Sequence, residues 1–141
     1  MAETPTTDQL IEDFSFLESW EDRYGYLLEM GRDLAPLTEE EKTTQTHVKG
    51  CVSQVWLVCE EGPSRTLTFR GDSDSLIVQG LIAVLLVLFS GQDCKTILET
   101  DPAPVLDKLG LIQHLTPQRA NGFAAMIQRI KAEAAAICAK D

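Results

Sequence analysis

Gln54-Val55-Trp56-Leu57-Val58-Cys59-Glu60, then Glu61-Gly62-Pro63-Ser64, then Arg65-Thr66-Leu67-Thr68-Phe69-Arg70 is the stretch that decides what this chain folds around. The two outer runs are rich in β-branched and aromatic residues, and the four residues between them have the length and composition of a hairpin loop. An antiparallel hairpin is therefore expected. Alternation along its first strand puts Val55, Leu57 and Cys59 on one face and Trp56 and Val58 on the other, so both faces should be at least partly covered.

The cover lies on either side in sequence. Gly71-Asp72-Ser73-Asp74 turns the chain and offers Ser or Asp caps for an apolar helix from about Ser75 to Phe89, which Gly91 ends. Its longest unbroken apolar run, Leu81 to Phe89, falls short of the roughly 20 residues a membrane span needs, so it reads as a core helix. Asp101-Pro102 opens a short helix that Gly110 closes, and Thr116-Pro117 opens a long last one reaching about Ala139. Upstream, Thr6-Thr7-Asp8-Gln9 fits a capping box before Leu10, Ile11, Phe14 and Leu17, predicting a first helix to about Ser19. Ser19-Trp20-Glu21-Asp22 starts a second, with Tyr24, Leu27, Leu28 and Leu34 inward and Pro36 as its stop. Thr38 to Glu41 is another capping box, opening a short turn. With no repeat and no long linker, residues 1–141 are expected to form one domain.

Composition removes several function classes. Twelve basic residues against 22 acidic ones leave a net charge of −10, which repels phosphate backbones and anionic membranes, so neither nucleic acid nor membrane is expected as a partner. The four cysteines, Cys51, Cys59, Cys94 and Cys138, form no C-x-x-C pair. Met1 to Ser19 holds no Lys or Arg and no apolar leader, which points to the cytoplasm. Thiols stay reduced there, and a conspicuous cysteine is expected to be reactive rather than cross-linked.

That cysteine is Cys51, in His47-Val48-Lys49-Gly50-Cys51-Val52-Ser53-Gln54. Residues 43–50 are polar and aperiodic, a surface loop that delivers the thiol to the start of the hairpin. Gly50 permits backbone angles that a side chain forbids, and positive charge on Lys49 and His47 is expected to favour the thiolate. His47 could also serve as a base for Cys51, although a loop histidine is more often merely solvated. Cys59 alternates with Val55 and Leu57 and reads as core; Cys94 follows Gly91 with nothing beside it to activate it; Cys138, among alanines, reads as a packing or surface residue. His114 reads as structural, and Glu39 to Glu41 as a solvated helix start. Asp72 and Asp74 fit turn formation and capping better than an acid/base pair. A metal site built from Cys51, Cys94 and Cys138 would lack any short ligand pair, so no metal is expected.

Several separated strings resemble the SufE/CsdE family of sulfur acceptors. They are Trp20-Glu21-x-Arg23-Tyr24, Val48-x-Gly50-Cys51-x-Ser53-x-Val55-Trp56, Gly71-Asp72-Ser73-Asp74, Ile77 to Val84, and Leu115-Thr116-Pro117-Gln118-Arg119-x-Asn121-Gly122-Phe123. Thr46 stands where the family pattern has an asparagine. The resemblance implies an α+β fold with a small antiparallel sheet of about three strands packed on helices, similar to the scaffold IscU. It implies no cofactor, and a cysteine, here Cys51, that takes persulfide sulfur from a pyridoxal-phosphate-dependent, SufS-like cysteine desulfurase. On the same resemblance the sulfur is expected to pass to a SufB-like cluster scaffold. The resemblance thus implies a single-turnover acceptor that stimulates the desulfurase rather than a stand-alone multiple-turnover enzyme. Gly50, His47, Lys49, Asp74 and Arg119 are the supporting residues on that reading. A CsdE-like acceptor for another desulfurase pathway, a thiol redox protein, and a homodimeric state stay open.

Overall fold

In the computed structural model, which describes residues 6–51 and 53–140, the apolar stretch forms α3, Leu76–Phe89, the centre of the molecule. Ser75 caps it, its hydroxyl accepting the Val78 N–H. Ten of its 14 residues are buried, so this helix is covered on nearly all sides rather than along one stripe.

One cover is α2, Trp20–Arg32, which starts where the sequence predicts, with Ser19 as its cap. The two helices meet at glycines. A Cβ on Gly80 would lie 2.3 Å from the Leu27 carbonyl oxygen, and one on Gly31 would lie 2.7 Å from the Gly80 nitrogen. No side chain fits between these backbones. The other cover is the sheet, β1 (Val55–Glu61), β2 (Thr66–Ser73) and β3 (Gln92–Asp93), in the order β1-β2-β3. β1 and β2 form the expected antiparallel hairpin, in register from Val55↔Ser73 to Glu61↔Leu67, and β3 pairs antiparallel with Thr66 and Leu67. β2 continues three residues past Arg70, because Gly71, Asp72 and Ser73 still pair with Leu57, Trp56 and Val55. A three-stranded antiparallel sheet on helices is the expected α+β class.

The remaining helices are α1 (Thr7–Ser15), α4 (Cys94–Glu99), α5 (Ala103–Leu109), α6 (Leu111–His114) and α7 (Pro117–Cys138). α1 carries the predicted capping box but stops before Ser19, because that residue caps α2 instead. α2 likewise ends at Arg32, ahead of Pro36, with Asp33 as its C-cap. Gly110 ends α5 in the left-handed region, φ +70°. Among the described residues no helix is long and apolar enough to cross a membrane.

One expectation is overturned. Cys94 and Cys138 are joined by a disulfide, with their Cα atoms 5.7 Å apart, inside the usual range for such a bond. The cause is packing that the sequence hides. Asp93 caps α4 and starts a helix that turns Cys94 inward, 3% exposed, against the end of α7. Lys131 of α7 reinforces the same contact by donating from Nζ to the Ile97, Leu98 and Thr100 carbonyls at the far end of α4. The C-terminal end of α7 is further held by Arg65, whose Nη1 donates to the Cys138 carbonyl at 3.0 Å.

Candidate functional site

Cys51 hangs between two fixed points. Before it, the Thr46 hydroxyl donates to the Glu41 carbonyl (2.7 Å) and accepts the Thr43 N–H (2.9 Å), closing a compact turn. The chain then runs briefly antiparallel to β1: the Thr46 carbonyl accepts the Leu57 N–H, and the Val48 N–H donates to the Val55 carbonyl. After it, Asp74 accepts the Gln54 N–H through Oδ1 (3.0 Å) and returns its own N–H to the Gln54 carbonyl (3.3 Å). Gly50 makes the last bend with φ +94°, in the region that glycine occupies without strain.

The thiol is half-buried and its Sγ lies 3.5 Å from the Gly122 carbonyl oxygen of α7, placed to donate to it. It opens on a cleft of about 250 Å³ between α3 and α7. Val78, Leu81, Phe123 and Met126 wall this cleft with apolar surface, and Ser53, Thr116, Gln118 and Arg119 line it with polar groups. Cys51 and Arg119 are thus brought to one cleft, whereas Asp74 acts through Gln54 on the backbone beside it.

His47 and Lys49 do something other than expected. The His47 Nε2 pairs with Gln54 Oε1 at 2.9 Å and its ring packs edge-on to Trp56. Lys49 is exposed and lines, with Lys42, His47 and Trp56, a separate hollow. Burial pushes the Cys51 thiol up from its ordinary pKa, opposite to the lowering expected from these two cations. Burial thus favours the protonated thiol over the thiolate. Cys59 is also free, half-buried rather than core, and pushed up to about 11 by burial and by Glu133 and Glu61. Since Cys94 and Cys138 hold each other, they are unavailable as ligands beside Cys51.

Gly122, Phe123 and Met126 recur at helical spacing, and that periodicity could have marked them as one face of α7. Arg129 gave no signal. Its guanidinium donates to the His47 carbonyl (3.2 Å) and to the Gln45 carbonyl, and its Nε to Glu133 (3.0 Å).

Residues 8–134 match the family model of SufE, described as an Fe-S metabolism associated domain. The chain belongs to the SufE family. An uncharacterized SufE-like protein of Rhizobium meliloti is 48% identical over 130 residues, covering 90% of this chain and 93% of that protein. A second, of Rhizobium etli, is 44% identical over 130 residues, covering 90% and 88%. The solution structure of a hypothetical protein from Thermus thermophilus superposes with a TM-score of 0.76 over 99% of this chain and all of the other, at 19% identity, a likeness of fold. Membership in the SufE family gives the protein a role in Fe-S metabolism and sulfur transfer.

Proposed function

We propose that Cys51 is a sulfur acceptor, taking the outer sulfur of a cysteine desulfurase's persulfide and passing it to a cluster scaffold. The Cys51 thiolate attacks the outer sulfur, a new S–S bond forms on Cys51, the old one breaks, and the desulfurase leaves as a thiolate. The proton lost by Cys51 balances the one the desulfurase thiolate regains, and no external oxidant is needed. Rates of such exchange depend on thiolate fraction and access. Both are low in the resting site, so docking must expose the thiol and lower its pKa, which makes reaction conditional on the partner.

The observation that carries this reading is the position of a free thiol at the mouth of an apolar cleft, on a loop pinned at both ends. Val78, Leu81, Phe123 and Met126 would keep a carried persulfide from water and stray thiols. With one acceptor thiol the protein accepts one sulfur and must be unloaded before the next.

Incubation with a desulfurase and cysteine, followed by intact-mass and peptide mapping, tests it. One added sulfur on Cys51 is expected, lost in Cys51→Ser and kept in Cys59→Ser. Alanine production should also rise with wild type and a reductant, and not with Cys51→Ala. Equal stimulation by Cys51→Ala would make the protein an allosteric activator. Running each desulfurase of the host in turn separates a SufS-like from a CsdE-type partner.

A further inference from the structure

We infer that Arg129 is the latch that holds the Cys51 loop closed, a positioning residue acting on the thiol through the backbone of residues 45–47; this rests on Cys51 being the acceptor. The stem leaves the Thr43–Thr46 turn, whose His47 N–H donates to the Thr43 carbonyl (3.0 Å), and bridges antiparallel to β1 at His47, opposite Trp56. The Thr46 carbonyl and the Val48 N–H pair with β1, while the Thr46 N–H donates to the Thr43 hydroxyl. The carbonyls of Gln45 and His47 both fall to the Arg129 guanidinium. Its fork thus ties the loop stem to α7, and the planar spacing of its N–H groups suits two carbonyls where a lysine ammonium offers a point charge.

The same helix face holds the thiol itself. Gly122 and Arg129 lie seven residues apart on α7, two turns at about 3.6 residues each, so they share a face. Between them Ala125 faces Gly50, where a Cβ would come within 3.3 Å. The loop therefore lies along one stripe of α7, stem on Arg129, bend on Ala125, sulfur on Gly122. Glu133, bonded to the Arg129 Nε, orients the fork along that stripe. Moving Cys51 out to a partner requires the loop and its stem to leave this face, and the Arg129 bonds to the stem are the charge-assisted ones that resist it.

Alkylation of the isolated protein by iodoacetamide, quantified by peptide mapping at Cys51 and Cys59, tests the latch without any desulfurase. Arg129→Lys keeps the charge beside Cys59 but loses the fork; Arg129→Ala loses both. Cys51 should react faster by about threefold in Arg129→Lys and about tenfold in Arg129→Ala, the latter equal to ~1.4 kcal/mol of loop closure. Cys59 in Arg129→Lys should react at the wild-type rate. Unchanged Cys51 rates in folded variants overturn the inference. So does a wild-type Cys51 rate in Arg129→Lys alone, which would assign the effect to charge, or parallel acceleration of Cys51 and Cys59, which would make Arg129 merely structural. Failure of the wild type to accept sulfur would instead sink the acceptor reading and leave the latch standing.

Discussion

The Cys51 Sγ and the Gly122 backbone are in direct contact: the sulfur is 3.5 Å from the carbonyl oxygen, and a Cβ on Gly122 would fall 3.3 Å from the sulfur. Glycine at this position is what lets a thiol lie flat on a helix. Gly122→Ala should turn the sulfur outward, since the side chain can rotate more easily than α7 can shift. The gain in helix propensity, about 1 kcal/mol, should offset the lost contact. The expected result is a melting temperature within a few degrees of wild type and faster alkylation at Cys51. A wild-type rate at Cys51 would mean that the seat on Gly122 does not restrain it.

Burial sets the second expectation. With the Cys51 pKa raised, the rate of alkylation should climb with pH to a midpoint above the ordinary 9.0 of a thiol. The sign follows from the protonated form being favoured in the folded state: below the unfolded pKa nothing is lost, and stability falls as pH rises towards the folded value. Stability curves should therefore show wild type losing ground to Cys51→Ala above about pH 9. A midpoint below 9.0 would restore the electrostatic role first expected of Lys49 and His47.

The disulfide is the third. It closes a loop of 44 residues between α4 and α7, so reduction should cost about 4 kcal/mol, or on the order of 10 °C in melting temperature. Cys138→Ala is the cleaner variant, because Cys94 is buried and packs as a small apolar residue when reduced. The Cys51 cleft lies at the other end of α7, and the Cys51 alkylation rate should be unaffected. Melting that does not respond to reductant would show the bond to be absent in solution.

How much of this was readable beforehand follows a physical divide. Local signals survived: the cap at Thr6, the helix starts at Ser19 and Thr116, the closing Gly110 and the hairpin all depend on residues within a few positions of one another, whereas the cap of α3 falls on Ser75 rather than within residues 71–74, because β2 runs on through Ser73. Cys51 was legible from its loop and its motif. The disulfide was not, because 44 residues separate its ends and α4, six residues long, has too few turns to show a period. The direction of the thiol's pKa was missed for a related reason. Nearness in sequence suggested cations beside the sulfur, yet His47 is bonded to Gln54, Lys49 is exposed, and burial against α7 decides. Arg129 reaches the loop from 82 residues away, a distance over which no sequence pattern speaks.

Thr46 offers the last test, because it stands where the family resemblance leads one to expect an asparagine. Its hydroxyl accepts from Thr43 N–H and donates to the Glu41 carbonyl, while its own carbonyl serves β1. An asparagine amide has both an acceptor and donors and can repeat this pair of bonds; a valine side chain has the shape of threonine but neither group. Thr46→Val should therefore cost about 1–2 kcal/mol and loosen the stem ahead of Cys51, whereas Thr46→Asn should remain near wild type. Denaturant unfolding read together with Cys51 alkylation would check both. If Thr46→Val matched wild type in each, the turn would be held by its backbone alone and the hydroxyl would have no part in placing the thiol.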